Sequence, residues 1–183
     1  MKSLTLAAAA MMMAGCVPSL HPLYTGKDLA FDPALLGAWQ TKDAKDRQTW
    51  EFKPNEHSGY TLVHTEKGEA RPFTVHLLAL GGERFLDLYP DELEITNTFY
   101  AAFLVPVHMF ARVRRKDDIF EIRFLSDDWL KKSIQSKSLR IAHEKLKDFI
   151  LLTAPTSDLQ SMIRGALAEP KAFPEAVELR RVP

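Results

Sequence analysis

From Asp32 onward the chain alternates apolar and polar side chains in short runs, the period of half-buried strands. Runs over 48–52, 60–65, 73–80 and 84–89 predict strands. Pro54-Asn55, Lys67-Gly68 and Gly81-Gly82 supply the turns between them. Runs over 103–115 and 119–125 predict a further hairpin, those over 139–143 and 149–153 shorter strands, and 177–182 a last one. Hairpins laid down in sequence make an antiparallel meander, and a meander removes its exposed edges by closing on itself. The pattern therefore predicts a mainly β fold, an antiparallel meander closing into a barrel or strongly curved sheet.

Two stretches change period. Leu159, Met162, Ile163, Ala166 and Leu167 follow the i, i+3, i+4 spacing of one apolar helix face, which predicts a helix over 157–168 with Ser157 and Gln160 as a capping box. A second short helix is predicted over 127–135, with Ser126 as its cap and Asp127-Asp128 favoured by the helix dipole. Ahead of the strands, Asp32-Pro33 through Gly37 carries a capping residue, a proline at the first helical position and a terminal glycine, so one helical turn fits there.

Pairing two hairpins gives faces to the side chains. With Gly81-Gly82 as a two-residue turn, His76 lies opposite Asp87 on a mixed face, while Val75, Leu77, Leu86 and Leu88 share an apolar one. His76 and Asp87 form a possible polar pair: an oriented imidazole can act as a base, and the same pair can simply stabilise a sheet. With a turn at Lys116-Asp117, Arg112 faces Glu121, and the basic run over 112–116 becomes either a solvated hairpin tip or a contact for anionic headgroups. The segment 90–102 has no clean period and is longer than most connections. Leu93, Ile95, Phe99 and Tyr100 are its possible ligand or lid contacts, and a short helix or disguised strand packed on the sheet is the alternative.

The N-terminus has a different character. Lys2 precedes an uncharged apolar run from Leu4 to Ala14, too short for a bilayer span and suited to a secretory signal. The run closes on Met13-Ala14-Gly15-Cys16, and Cys16 is the one cysteine of the chain. An exported chain has no use for a single spare thiol in folding, whereas a lipid acceptor needs one. These four residues resemble the lipobox of bacterial lipoproteins, with leucine's usual place taken by Met13. The resemblance implies a signal peptide over 1–15, cleavage between Gly15 and Cys16, acyl chains on Cys16 and, since Val17 rather than aspartate follows, the periplasmic side of the outer membrane. Residues 16–31, with Pro18, Pro22 and Gly26, read as a lipidated tether, and 32–183 as a single β-rich domain. The stretch from Cys16 to Tyr24 also resembles the Cys-x-Pro-Ser-Leu-x-Pro-Leu-Tyr start of a group of uncharacterised bacterial lipoproteins, which brings no activity with it.

Gly37-x-Trp39 after a helical turn, followed by a meander, a late helix and a last strand, is similar to the lipocalin pattern. That resemblance implies a lipocalin-like barrel with Trp39 plugging its closed end beneath an arginine, for which Arg140 and Arg180 are the candidates. The family's second motif is missing, and the helix over 127–135 is additional.

Chemistry is sparse. Twenty-four Lys and Arg balance 24 Asp and Glu, without the basic excess of a nucleic-acid binder. His21, His57, His64, His76, His108 and His143 have no metal-ligand spacing, so no metal and no cofactor is expected. Gly-x-Ser-x-Gly and phosphate-cradling glycine loops are absent. These observations favour a non-catalytic envelope module that binds an apolar small ligand or lipid. The alternatives are a structural or protein-interaction component of the envelope and, remotely, a hydrolase using His76 and Asp87.

Overall fold

The computed structural model describes residues 16–42, 47–56, 58–91 and 95–182. Met13, Ala14, Gly15 and Leu93 lie outside them, as does the whole expected signal peptide. In chain order the strands are β1 Pro18–Ser19, β2 Leu29–Ala30, β3 Gly37–Thr41, β4 Thr49–Pro54, β5 Tyr60–Glu66, β6 Glu69–Leu80, β7 Glu83–Pro90, β8 His108–Lys116, β9 Ile119–Phe124, β10 His143–Lys145, β11 Ile150–Leu152 and β12 Val177–Arg181. The helices are α1 Thr98–Ala101, α2 Asp127–Gln135 and α3 Thr156–Ala166, and a 3-10 turn spans Pro33–Leu35.

The architecture is mainly β, as expected. Strands β3 to β9 pair as an antiparallel meander, and β12 pairs with both β9 and β3, which closes an eight-stranded lipocalin-like barrel. Closure leaves the barrel strands no free edge over their paired length. The β6–β7 hairpin has the expected register, with His76 opposite Asp87, because Gly81 and Gly82 both adopt positive φ (62° and 79°). The β8–β9 hairpin corrects the sequence reading. Its turn is Asp117-Asp118, with Asp117 at φ 54°, so Arg112 faces Arg123 and Arg114 faces Glu121. Aspartate tolerates the left-handed conformation better than lysine, which moves the turn along by one residue and leaves the faces unchanged.

Two cores result because the inner face of β6, β7 and β8 is apolar and their mixed outer face still carries a cluster of apolar residues. The inner face fills the barrel with Leu35, Trp39, Phe52, Leu62, Val75, Leu77, Leu86 and Ile122. The outward Leu78, Leu80, Phe85 and Phe110 form a second core with Leu23, Leu130, Leu152, Leu159 and Ile163. Helix α3 covers this outer face with the predicted stripe of Leu159, Met162, Ile163 and Ala166, all buried. The expected capping box does not form. The helix begins at Thr156 behind Pro155, and Gln160 turns inward, its amide donating to Leu23 O (2.9 Å) and Asp28 Oδ2 (2.8 Å). Helix α2 has the predicted bounds, and Ser126 Oγ accepts the Trp129 N–H.

Residues 16–31 are not a separate tether. Val17, Ser19 and Leu23 are buried, β1 pairs with β8 and β11, and β2 pairs with β6. The outward apolar residues of the wall need a cover, and this stretch supplies part of it. Prolines 18 and 22 suppress the sequence signal for strand without preventing two-residue pairing.

Candidate functional site: the mouth of the barrel

One end of the barrel is closed. Asp32 caps the 3-10 turn by accepting the Ala34 N–H, and the turn lays Leu35 across the opening beside Trp39. The indole N–H of Trp39 donates to Leu35 O (2.8 Å), and its ring meets Phe120 edge-on at 4.7 Å. The arginine above the tryptophan is Arg181, neither Arg140 nor Arg180. Its guanidinium carbon sits 4.4 Å from the Trp39 ring centroid, and it donates to Leu36 O (3.0 Å) and Ala34 O (2.8 Å). Neighbours on a strand point to opposite faces, so a one-residue error in this assignment selects the wrong side chain.

The other end is hollow. A cavity of about 200 Å³ opens between the start of β4, the ends of β5, β7 and β9, and the starts of β8 and β12. Trp50, Leu62, Phe73, Leu88, Met109 and Phe124 make its wall, with Gln48, His64 and Glu66 as polar residues at the lining. His64 stands edge-on to Trp50 (5.1 Å), with Nε2 3.4 Å from Gln48 Oε1. Burial holds the imidazole below its ordinary pKa, so this lining is uncharged at His64 near neutrality. The indole N–H of Trp50 is buried and has no acceptor among the described residues.

A second, wider hollow of about 910 Å³ lies outside the mouth, and Pro90 and Val107 border both. Its wall includes Thr74, Tyr89, Ile95, Phe103, Leu104 and Val105. Of the expected contacts in the 90–102 segment, Ile95 lies on this hollow. Phe99 and Tyr100 are on α1 and face solvent, 77% and 58% exposed. The strand expected from residue 103 starts at His108 instead. The sequence does not mark these lining residues as a site, because alternation reveals which residues share a face, not where along a closed barrel the filling stops.

His76 and Asp87 are opposite each other on the outer wall, away from the cavity. The short side-chain pairing of Asp87 is with His108, Oδ1 to Nδ1 at 2.6 Å, while Oδ2 accepts the Leu23 N–H at 2.7 Å. His76 packs at a tilt against Tyr24 (centroids 4.4 Å apart), and Tyr89 against His108 (4.6 Å). The arrangement ties the N-terminal stretch to β7 and β8, with the carboxylate 1% exposed. The basic run at the hairpin tip is partly neutralised: Glu83 accepts from both Arg112 and Arg114 at 2.5 Å. Those guanidinium groups hold its carboxyl down at about 2.

Among the described residues no group of His, Cys, Asp and Glu has the geometry of a metal site, and no helix is long and apolar enough to cross a membrane. No protein-family model matches the chain, nor does any curated protein or solved structure.

Proposed function

We propose that this protein is a lipid-anchored envelope lipoprotein, facing the periplasm from the outer membrane, whose barrel binds an apolar small ligand or lipid without chemically changing it. The apolar cavity at the barrel mouth carries the reading. Its volume of about 200 Å³ exceeds the ~150 Å³ cavity that is known to take up benzene, and falls short of the ~300 Å³ at which whole drug-sized ligands are held. The inner cavity therefore suits the end of an apolar chain, with the outer hollow taking the remainder. Each methylene moved from water into such a wall contributes about 0.8 kcal/mol. The anchor rests on Cys16 at the end of its apolar leader.

The exposed apolar side chains at 99–105 favour a second reading, a protein-interaction component of the envelope with no small ligand. Titrating the intact lipoprotein with a fluorescent long-chain fatty acid separates the two. Ligand binding predicts saturable uptake that Met109→Trp, which fills the cavity, weakens at least about tenfold while the fold is retained. Unsaturable uptake, or saturable uptake that Met109→Trp leaves unchanged, contradicts it.

A further inference from the structure

Among the described residues, most of the large exposed apolar side chains lie in the connection from β7 to β8. Residues 95–107 contain no Asp, Glu, Lys, Arg or His. Phe99, Phe103 and Val105 are 77%, 67% and 68% exposed, and Tyr100 and Leu104 are exposed beside them. None of the five belongs to either core. The arrangement is built: Asn97 caps α1 by accepting the Tyr100 N–H at 3.0 Å, and the rings of Phe99 and Phe103 meet at 5.2 Å. A contiguous apolar patch of this kind marks a contact surface.

On the anchor reading above, the position of Cys16 points to a bilayer as the occupant of this patch. Cys16 bridges Ser126, two residues past the mouth-side end of β9, and Pro18 pairs with Met109, the second residue of β8. The apolar connection runs directly into the same end of β8. At the rise of a strand, the few residues between the level of Cys16 and Val107 span roughly 13 Å, within reach of one bilayer surface. One apolar anchor alone gives marginal attachment, and a second contact strengthens it.

We propose that residues 95–107 insert into the interface of the bilayer that holds the acyl chains of Cys16, so that the barrel mouth opens onto the membrane. A lipid chain then enters the cavity past Pro90 and Val107 without crossing water. The orientation rests on the anchor reading above. Uncharged aromatic and aliphatic side chains suit the headgroup boundary, where rings with one polar edge such as Tyr100 are at home.

The test uses the intact lipoprotein in vesicles of phosphatidylethanolamine and phosphatidylglycerol. Spin labels are placed through Phe99→Cys, Phe103→Cys and Val105→Cys, and through Lys116→Cys at the closed end of the barrel. Acylation of Cys16 leaves the introduced thiol as the only reactive one. Labels at 103 and 105 should meet membrane-dissolved oxygen at least about threefold more, relative to a water-soluble relaxant, than the label at 116. Equal water access at 103, 105 and 116 overturns the insertion. Strong label–label coupling at 103 between copies overturns it in favour of a dimer interface. Label uptake by the parent protein shows an unacylated Cys16 and overturns the anchor alone, the insertion then being decided by the same accessibilities.

Discussion

Arg181 lies over Trp39 with its guanidinium carbon 4.4 Å from the ring centroid and both terminal nitrogens bonded to carbonyls of the turn that closes the barrel. One side chain thus joins the last strand, the first barrel strand and the plug. The stack and the two hydrogen bonds are partly solvated, so Arg181→Ala should cost about 1–3 kcal/mol, measured by urea unfolding. Arg181→Lys should recover less than half of the loss, because an ammonium cannot stack flat while donating to two carbonyls. Full rescue by lysine would show that charge alone matters there.

The same end fixes Gly37. Its φ of +107° is a conformation that residues with a Cβ rarely adopt, and a Cβ there would sit 2.9 Å from Arg181 Nη1. The guanidinium can move aside, so the backbone is the main penalty. Gly37→Ala should destabilise by about 1–3 kcal/mol, and should still do so in the Arg181→Ala background. A neutral effect once Arg181 is removed would place the cost in the contact instead.

Asp87 is a buried side-chain link between the barrel and residues 17–30. Asp87→Ala leaves the Leu23 N–H without its acceptor and His108 without its partner, so it should cost about 2–4 kcal/mol. The loss should appear first as faster amide exchange at Leu23 and as proteolytic cleavage between residues 17 and 30. Uniform loss of protection over the whole barrel would contradict a local role.

Glu83 predicts the acid behaviour of the β7–β8 wall. Its folded pKa is depressed from 4.5 to about 2, first by the Arg114 hydrogen bond and then by that of Arg112. A carboxyl with a depressed folded pKa stabilises the fold fully above the unfolded value. That contribution disappears as pH falls from about 4.5 towards 2. With Arg114 more than half exposed, solvent screening limits the contribution to about 1 kcal/mol. Glu83→Gln should be less stable than the parent at neutral pH and should converge with it near the bottom of that window. A difference that is unchanged from pH 7 down to the acid end of that window would refute the ion-pair account.

Much of this fold is legible in the sequence because alternation and turn chemistry agree locally. Gly81-Gly82 fixes the register that brings His76 opposite Asp87, and the α3 stripe identifies its buried face. What escapes reading depends on contacts distant in sequence. The capping role expected of Gln160 is lost because Leu23 and Asp28, more than a hundred residues earlier, bind its amide. The β1 and β2 pairings escape because strands of two residues have no period of their own. Asp87 and His108 come together only when β7 and β8 pair. The mouth cavity is hidden for the same reason: Trp50, Phe73 and Met109 carry ordinary core signals, and only barrel closure shows that the space between them is not filled.

We propose that the mouth of the barrel holds an apolar ligand. Native mass spectrometry of the full-length protein expressed in bacteria and taken from the membrane fraction, followed by organic extraction, distinguishes a filled mouth from an empty one. A filled mouth predicts an apolar molecule bound at one per protein, beyond the mass of the chain and of any acyl groups on it, and lost from Met109→Trp. A mass equal to that of the chain and any acyl groups on it, with nothing recovered in the extract, contradicts it.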